Sequence, residues 1–156
     1  MNTLKTLYNS LFLPYINYCS LIWASNYASY LKPLYVLQKK AVRVITFSPP
    51  RTSSKPLFSR HNILSLYSSY KFHVACFVFS HFNSLLPTPV SSILHFNSEY
   101  HDYLTCSRFN LHKTCHKYQF AITWQTPIIW NDIPLTVRNN LTVSNFKKNL
   151  RLYFSE

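Results

Sequence analysis

This chain has few carboxylate residues that could act in catalysis. The acids are Glu99, Asp102, Asp132 and Glu156. Two-metal phosphoryl transfer requires several carboxylates that converge on ions roughly 4 Å apart, and no acidic pair of that kind is present. Asp132, which follows Trp130-Asn131, is typical of a turn or cap residue. The sequence therefore predicts no catalytic residue and no enzymatic activity for this chain by itself.

Histidine and cysteine are concentrated between His101 and His116. This segment also holds Cys106, His112 and Cys115, and zinc accepts both ligand types. Strong zinc sites show tighter paired spacing, whereas His112 and Cys115 alone make a weak half-site. We therefore predict no metal site. A cysteine nucleophile paired with one of the seven histidines gains no local support.

Glycine is absent from all 156 residues. This absence excludes the glycine-rich loops that hold nucleotide phosphates, and we predict no cofactor. Turns and helix ends must rely on Asn, Ser and Pro instead. The four cysteines are distant and unevenly spaced, which favours reduced thiols in an intracellular protein, cytoplasmic or nuclear.

Cationic residues are the most promising source of function. Lys and Arg number 16 against 4 acids, for a formal charge of +12. Such a charge predicts a polyanionic partner, either nucleic acid or an anionic membrane surface. Aromatic residues neighbour several cations, as in Tyr70-Lys71-Phe72, and aromatic faces can stack on bases. A membrane partner is less favoured, because Pro14 and several polar residues interrupt the apolar run of residues 4–24.

The clearest candidate for contact with phosphate is a helix within residues 31–47. Pro33 suits a first helical position, because its missing N–H is not needed there. The predicted apolar stripe recurs at three- and four-residue steps and consists of Leu34, Leu37, Ala41, Val44 and Ile45. A basic stripe on another side consists of Lys32, Lys39, Lys40 and Arg43. The alternative interpretation is a core helix whose charged face is only solvated.

The other elements are also mainly helical. In residues 4–24 one helical face is traced by Leu4, Leu7, Leu11, Tyr15, Tyr18 and Ile22, and Pro14 should kink or split that helix. Further helices are predicted near 56–61, over 63–86 with Pro87 as terminator, and from about Asn145 with Ser144 as N-cap. The last helix should bury Phe146, Leu150 and Phe154.

The predicted fold class is mainly α, a small helical assembly with an irregular β-hairpin or extended arm around residues 100–123. Asn110 is the candidate turn residue of that arm. Residues 1–47 are predicted to form a helical pair, 48–55 a linker and 56–156 a helical C-terminal region.

Several stretches, in order, resemble one family. They are LYNSLFLPYINYCSLIW, LYVLQKKAVRVIT, LPTPV, HDYLT and WQTPIIWNDIPLTVRNNLTVSNFKKNLRLYF. Together they resemble the C-terminal end of reverse transcriptases from non-LTR retrotransposons, especially the jockey-like lineages. The resemblance covers nearly the whole chain, and its most specific parts are the Tyr18/Trp23 segment, the helix from Gln38 to Arg43 and the run from Trp130 to Lys148.

The resemblance implies a thumb-like and post-thumb piece of an RNA-directed DNA polymerase, that is, a fragment of a larger protein. The family's catalytic aspartates lie upstream, in a Tyr-x-Asp-Asp motif that this sequence lacks. The implied role is to hold a template–primer duplex by its backbone, through Lys32, Lys39, Lys40 and Arg43. A weaker second patch consists of Lys147, Lys148 and Arg151. The implied partners are RNA, DNA or a hybrid duplex, and the upstream polymerase domain.

Two positions depart from the family's pattern. Cys106 stands where the family usually has Arg, and Thr126 where it has Gly before the Trp-Asn element. These departures, with the missing catalytic part, suggest a truncated and decaying copy. Two alternatives stay open: a small basic protein that associates with membranes through residues 4–24 and its cationic helices, and a retroelement remnant without function.

Overall fold

The computed structural model describes residues 2–87, 94–100, 110–113, 122–139 and 142–155. Across these ranges the protein is mainly α-helical, which confirms the predicted fold class. The helices are α1 (Asn2–Leu7), a π-helical turn (Tyr8–Phe12), α2 (Leu13–Asn17), α3 (Ser20–Trp23), α4 (Ala28–Ile45), α5 (Lys55–Arg60), α6 (Leu66–Phe82), α7 (Asn97–Tyr100), α8 (Ile122–Asp132), α9 (Leu135–Arg138) and α10 (Val143–Ser155). None of these helices is long and apolar enough to cross a membrane.

Contacts divide the chain into two compact units. The first consists of Met1–Phe72 and Arg151–Glu156, and the second of His73–Leu150. Helices α6 and α10 contribute residues to both. The segmentation into 1–47, 48–55 and 56–156 concerns stretches of sequence rather than these units and stays a prediction.

The first helical stretch runs from Asn2 to Asn17 and changes its hydrogen-bond pattern next to its proline. Pro14 lies in the first turn of α2, where its missing N–H is tolerated, and the π-helical turn comes directly before α2. This interruption of the α-helical pattern lies where the sequence predicts a kink or split. The helical stretch ends at Tyr18, which is extended, and at Cys19, which has a φ of 49°.

The face predicted for this stretch is mostly turned to solvent. Leu7, Leu11 and Tyr15, here named the N-terminal apolar row, are 47%, 63% and 83% exposed. The core side carries Tyr8 and Ile16, which are 4% and 2% exposed. Each buried residue follows a member of the N-terminal apolar row by one position, so the row and the buried residues lie on neighbouring sides of the helix.

Helix α4 begins earlier than the sequence indicated. Tyr27 is its extended N-cap, and Ala28 is its first residue, which leaves Pro33 inside the helix rather than at its start. Pro33 removes one backbone hydrogen bond. The extra turn compensates because it buries Leu31, which packs with Ile16 and Leu66.

The buried face of α4 also differs from the predicted stripe. Leu31, Gln38, Val42 and Ile45 are buried, whereas Leu37 and Val44 of the predicted stripe are exposed. Leu34 and Ala41 are half-buried. The buried face is rotated toward a polar residue, because hydrogen bonds satisfy the Gln38 amide in the core.

Gln38 is fully buried at the centre of the first unit. Its Nε2 donates to Tyr8 Oη and to the carbonyl of Leu64, both at 3.0 Å. Its Oε1 accepts from the N–H of Leu66 at 2.8 Å. Each polar atom of the amide therefore has a partner, as buried polar groups require.

Three helices end in the same motif although the chain has no glycine. Phe47, Asn62 and Ser84 follow α4, α5 and α6 with φ of 52°, 51° and 54°. The N–H of the next residue donates five residues back in each case, in the pairs Ser48–Arg43, Ile63–Phe58 and Leu85–Ser80. This is the Schellman motif, whose left-handed position glycine usually occupies. It ends α6 at Phe82, before Pro87, so our prediction that the helix reaches residue 86 is wrong.

The second unit is built around stacked aromatic rings. The ring of Phe79 lies 4.1 Å from that of Phe146, and Trp130 lies 6.1 Å from Phe146. Helix α8, with Pro127 inside it, positions both Trp130 and Asn131. The Asn131 amide exchanges two hydrogen bonds with the backbone of Leu111, at 3.0 and 3.1 Å.

Most of the predicted arm at 100–123 lies outside the described residues. Of that segment, Leu111 makes an isolated antiparallel bridge with Phe96, and Ile122 already begins α8. The carbonyl of Asn110 accepts from the N–H of Asn97 at 3.0 Å, and its role as the turn residue of the arm stays a prediction.

The last helix starts two residues before the predicted position. Thr142 caps it, since the N–H of Asn145 donates to Thr142 Oγ1 at 3.3 Å, so the prediction of Ser144 as N-cap is wrong. Phe146 and Leu150 are fully buried, as predicted, and Phe154 is half-buried.

Candidate nucleic-acid interface

The predicted basic stripe lies on the side of α4 that does not face the core. Lys32, Lys39, Lys40 and Arg43, here named the basic row, all belong to this one helix. Lys32 and Lys39 are two turns apart, and Arg43 is one turn further, so these three share a side. Lys40 is one residue further around. The helix therefore presents buried, basic and exposed apolar sides in turn.

Two members of the basic row have neighbours that hold them in place. The Lys39 ammonium lies 4.1 Å from the centre of the Tyr35 ring, within the range of a cation–π interaction. Arg43 Nε donates to the carbonyl of Thr52 at 3.0 Å. Both side chains are half-buried. Such contacts reduce the conformational freedom that is lost when a phosphate binds.

The other two members point into solvent. Lys32 and Lys40 are exposed, and neither makes a hydrogen bond or ion pair with any residue of the described ranges. Free ammonium groups on a rigid helix are available to phosphate oxygens as point charges. The row thus combines two exposed cations without a partner among the described residues and two restrained cations.

The connection after α4 brings one further cation to this region. Arg51 is exposed and directly precedes Thr52, whose carbonyl accepts from Arg43. The sequence predicts a linker for residues 48–55. The sequence indicated Arg51 only through the charge of that segment. The hydrogen bond between Arg43 and Thr52, which joins the segment to α4, required the structure.

The second predicted patch lies on α10. Lys147, Lys148 and Arg151 are all exposed, as the helical pattern predicted. The Arg151 guanidinium lies 5.8 Å from the Phe72 ring. Lys147 and Lys148 have no hydrogen-bond or ion-pair partner among the described residues.

Glu99, in α7, is an acid of the second unit with a shifted pKa. Partial burial acts to raise the pKa of Glu99, but hydrogen bonds from His95 and from the N–H of Phe96 outweigh it and lower the pKa. Glu99 Oε2 lies 2.8 Å from His95 Nδ1. This carboxylate closes the first turn of a short helix in the second unit.

Metal ligands do not gather in the part of the chain that the structure describes. No group of three His, Cys, Asp or Glu side chains is arranged to hold an ion within those ranges. Most of the His101–His116 segment lies outside them, with His112 as an exception. The prediction about that segment therefore stays a prediction.

Sequence reasoning missed Gln38 as a structural residue of the interface. Gln38 lies within the predicted basic helix, yet it is fully buried and sets the rotation of α4 through its three hydrogen bonds. Its position was the available signal, since it is seven residues after Leu31 and four before Val42, both of which are buried.

Comparisons of the chain with protein-family models, with curated proteins and with solved structures give no match. The resemblance to reverse transcriptases therefore rests on the sequence stretches quoted above. The chemistry of the basic row stands independently of that resemblance, because it follows from the positions and exposure of four cations on one helix.

Proposed function

We propose that the protein is a non-catalytic, nucleic-acid-binding piece related to the C-terminal end of a retrotransposon reverse transcriptase. The observation that carries this proposal is the basic row on α4, with Lys32 and Lys40 free and exposed among the described residues. Cations in one line along a helix are suited to successive phosphates of a duplex. Such contacts supply affinity without choice of sequence.

The uncovered apolar side chains of the first unit support the view that the chain works beside another domain. The N-terminal apolar row is exposed, and Leu37 and Val44 of α4 are also exposed. Contiguous exposed apolar surface commonly marks a protein contact. In full-length relatives of the proposed kind, the upstream polymerase domain is the partner that this surface would meet.

The direct test is binding of the purified chain to RNA–DNA hybrid duplexes of unrelated sequence at low salt. The key variant replaces the basic row by alanine, and the control removes three charges elsewhere. That control carries Lys55→Ala, Arg60→Ala and Lys113→Ala, all at exposed positions. We expect similar affinity for each duplex, a loss of at least about tenfold in the basic-row variant, and a much smaller loss in the control.

Two results would oppose the proposal. One is equal binding by the wild type and the basic-row variant, with both shown to be folded by circular dichroism. The other is retention on anionic liposomes that persists in high salt, together with no retention on the duplex, which would favour the membrane-associated alternative.

A further inference from the structure

A pocket of about 230 Å³ lies within the second unit. Its floor is aromatic and buried, because Phe79 and Trp130 are 4% and 2% exposed. Its rim is open to solvent and carries Phe82, Leu135, Asn83 and Asn139. Pockets for drug-sized molecules span roughly 300–1,000 Å³, so this one suits a smaller ligand.

Among the described residues that line the pocket, Arg138 is the cation. Arg138 is half-buried, its Nη1 donates to Asn110 Oδ1 at 3.0 Å, and its guanidinium lies 5.8 Å from the Trp130 ring. Burial lowers the pKa of Arg138. Among the described residues no carboxylate pairs with Arg138, and a partly desolvated guanidinium without such a partner is a favourable place for an anion.

Two residues that line this pocket each carry a buried nitrogen donor without an acceptor among the described residues. Arg138 Nε and Trp130 Nε1 are both buried and unpaired among the described residues. A buried unpaired N–H is costly, and an oxygen acceptor would relieve that cost. Because both atoms are shielded from water, an incoming oxygen reaches Arg138 Nε only after the guanidinium turns toward the pocket.

We propose that this pocket binds a small aromatic monocarboxylate. The flat apolar walls of Phe79, Phe82 and Trp130 would pack on the ring of the ligand. The carboxylate would accept two hydrogen bonds from N–H groups of the Arg138 guanidinium, in the bidentate geometry that this group favours. A single guanidinium balances a single negative charge, which favours a carboxylate over a phosphate dianion.

The experiment is a titration of the ¹⁵N-labelled chain with benzoate, followed at the indole N–H signal of Trp130. The chain has three tryptophans, and Trp23→Phe and Trp124→Phe identify the other two signals. We expect a saturable shift of the Trp130 signal. Benzamide, a neutral molecule of nearly the same shape, should bind at least about tenfold more weakly because it lacks the charge-assisted hydrogen bonds.

Variants separate the role of Arg138 from general charge. Arg138→Gln should weaken benzoate binding at least about tenfold. The control Lys113→Gln, which removes an exposed cation of the same unit, should leave the affinity unchanged. The proposal is overturned by the absence of any Trp130 shift in folded protein, by equal affinity for benzoate and benzamide, or by full affinity in Arg138→Gln. The benzamide comparison needs no variant, so it decides the matter even if Arg138→Gln does not fold.

Discussion

The side-chain oxygen of Gln38 accepts a hydrogen bond of 2.8 Å from the N–H of Leu66, the residue at which α6 begins. Because the same amide donates to Tyr8 Oη and to Leu64, it joins α4 to two other parts of the first unit. Lys39 and Lys40 directly follow it in the sequence. The junction therefore also sets the direction in which the basic row faces.

Replacement of Gln38 by leucine should destabilise the first unit markedly. Leucine is similar in size but leaves the N–H of Leu66, the carbonyl of Leu64 and the hydroxyl of Tyr8 without this partner. An unsatisfied buried group costs about 1–3 kcal/mol, so we expect a loss of about 3 kcal/mol in the free energy of unfolding. Urea denaturation measures it, and a loss below about 0.5 kcal/mol, the range of ordinary surface substitutions, would contradict the hydrogen-bond network.

A double-mutant cycle isolates one bond of this network. Tyr8→Phe should destabilise the wild type by about 1 kcal/mol, because it removes the acceptor of Gln38 Nε2. In the Gln38→Leu background the same change should cost nothing or stabilise the protein, because the hydroxyl that it removes has already lost its partner. Additive effects of the two substitutions would show that the Tyr8–Gln38 hydrogen bond makes no contribution to stability.

Replacement of Phe47 by glycine should stabilise the protein. Phe47 has a left-handed backbone and is 78% exposed, so its side chain contributes little packing while its Cβ makes the conformation unfavourable. After subtraction of the entropy that glycine loses on folding, the gain should be about 0.5–1 kcal/mol.

Phe47→Ala is the matched control for that prediction. It removes the ring but keeps the Cβ, so it should leave the free energy of unfolding nearly unchanged. If alanine and glycine raise the free energy of unfolding equally, the stabilisation comes from the loss of an exposed aromatic ring and not from the backbone. Thermal melts of the three proteins distinguish these cases.

Stability should fall at alkaline pH. Burial raises the pKa of Tyr70 from 10.0 to about 12, and burial also raises the pKa of Tyr8 against the opposing hydrogen bond from Gln38. A raised folded-state pKa means that the unfolded chain loses its proton first. The contribution of Tyr70 is therefore complete below pH 10 and is lost between pH 10 and about 12.

Urea midpoints of the wild type and Tyr70→Phe at pH 8, 10 and 11 test this pH dependence. The wild type should lose stability more steeply above pH 10 than the variant, because phenylalanine does not ionise. Identical slopes for the two proteins would show that Tyr70 titrates normally in the folded state.

The helices were predictable to different degrees for physical reasons. In α10 the four-residue spacing of Phe146 and Leu150 predicted that both face the core, and both are buried. Helix α4 was harder, since one buried amide turned the core side toward Gln38 and left Leu37 and Val44 in solvent. A pattern of apolar residues cannot anticipate a polar core residue whose partners lie elsewhere in the chain.

The ends of the helices show the same limit. Without glycine, Asn and Ser were expected to take the special backbone positions, and Asn62 and Ser84 do. Phe47 and Cys19 also have positive φ, although neither type favours that region. The exposure of Lys32 and Lys40 followed from the sequence, whereas the contacts of Lys39 with Tyr35 and of Arg43 with Thr52 required the structure.

The salt dependence of binding to an RNA–DNA hybrid tests the proposed phosphate contacts most directly. If the four cations of the basic row each neutralise one phosphate, the logarithm of the binding constant should fall against the logarithm of salt concentration with a slope of about −3.6. Lys32→Gln with Lys40→Gln removes the two unrestrained cations and should change that slope to about −1.8. An unchanged slope in this folded double variant would contradict the account, because the two free lysines of α4 would then contact no phosphate.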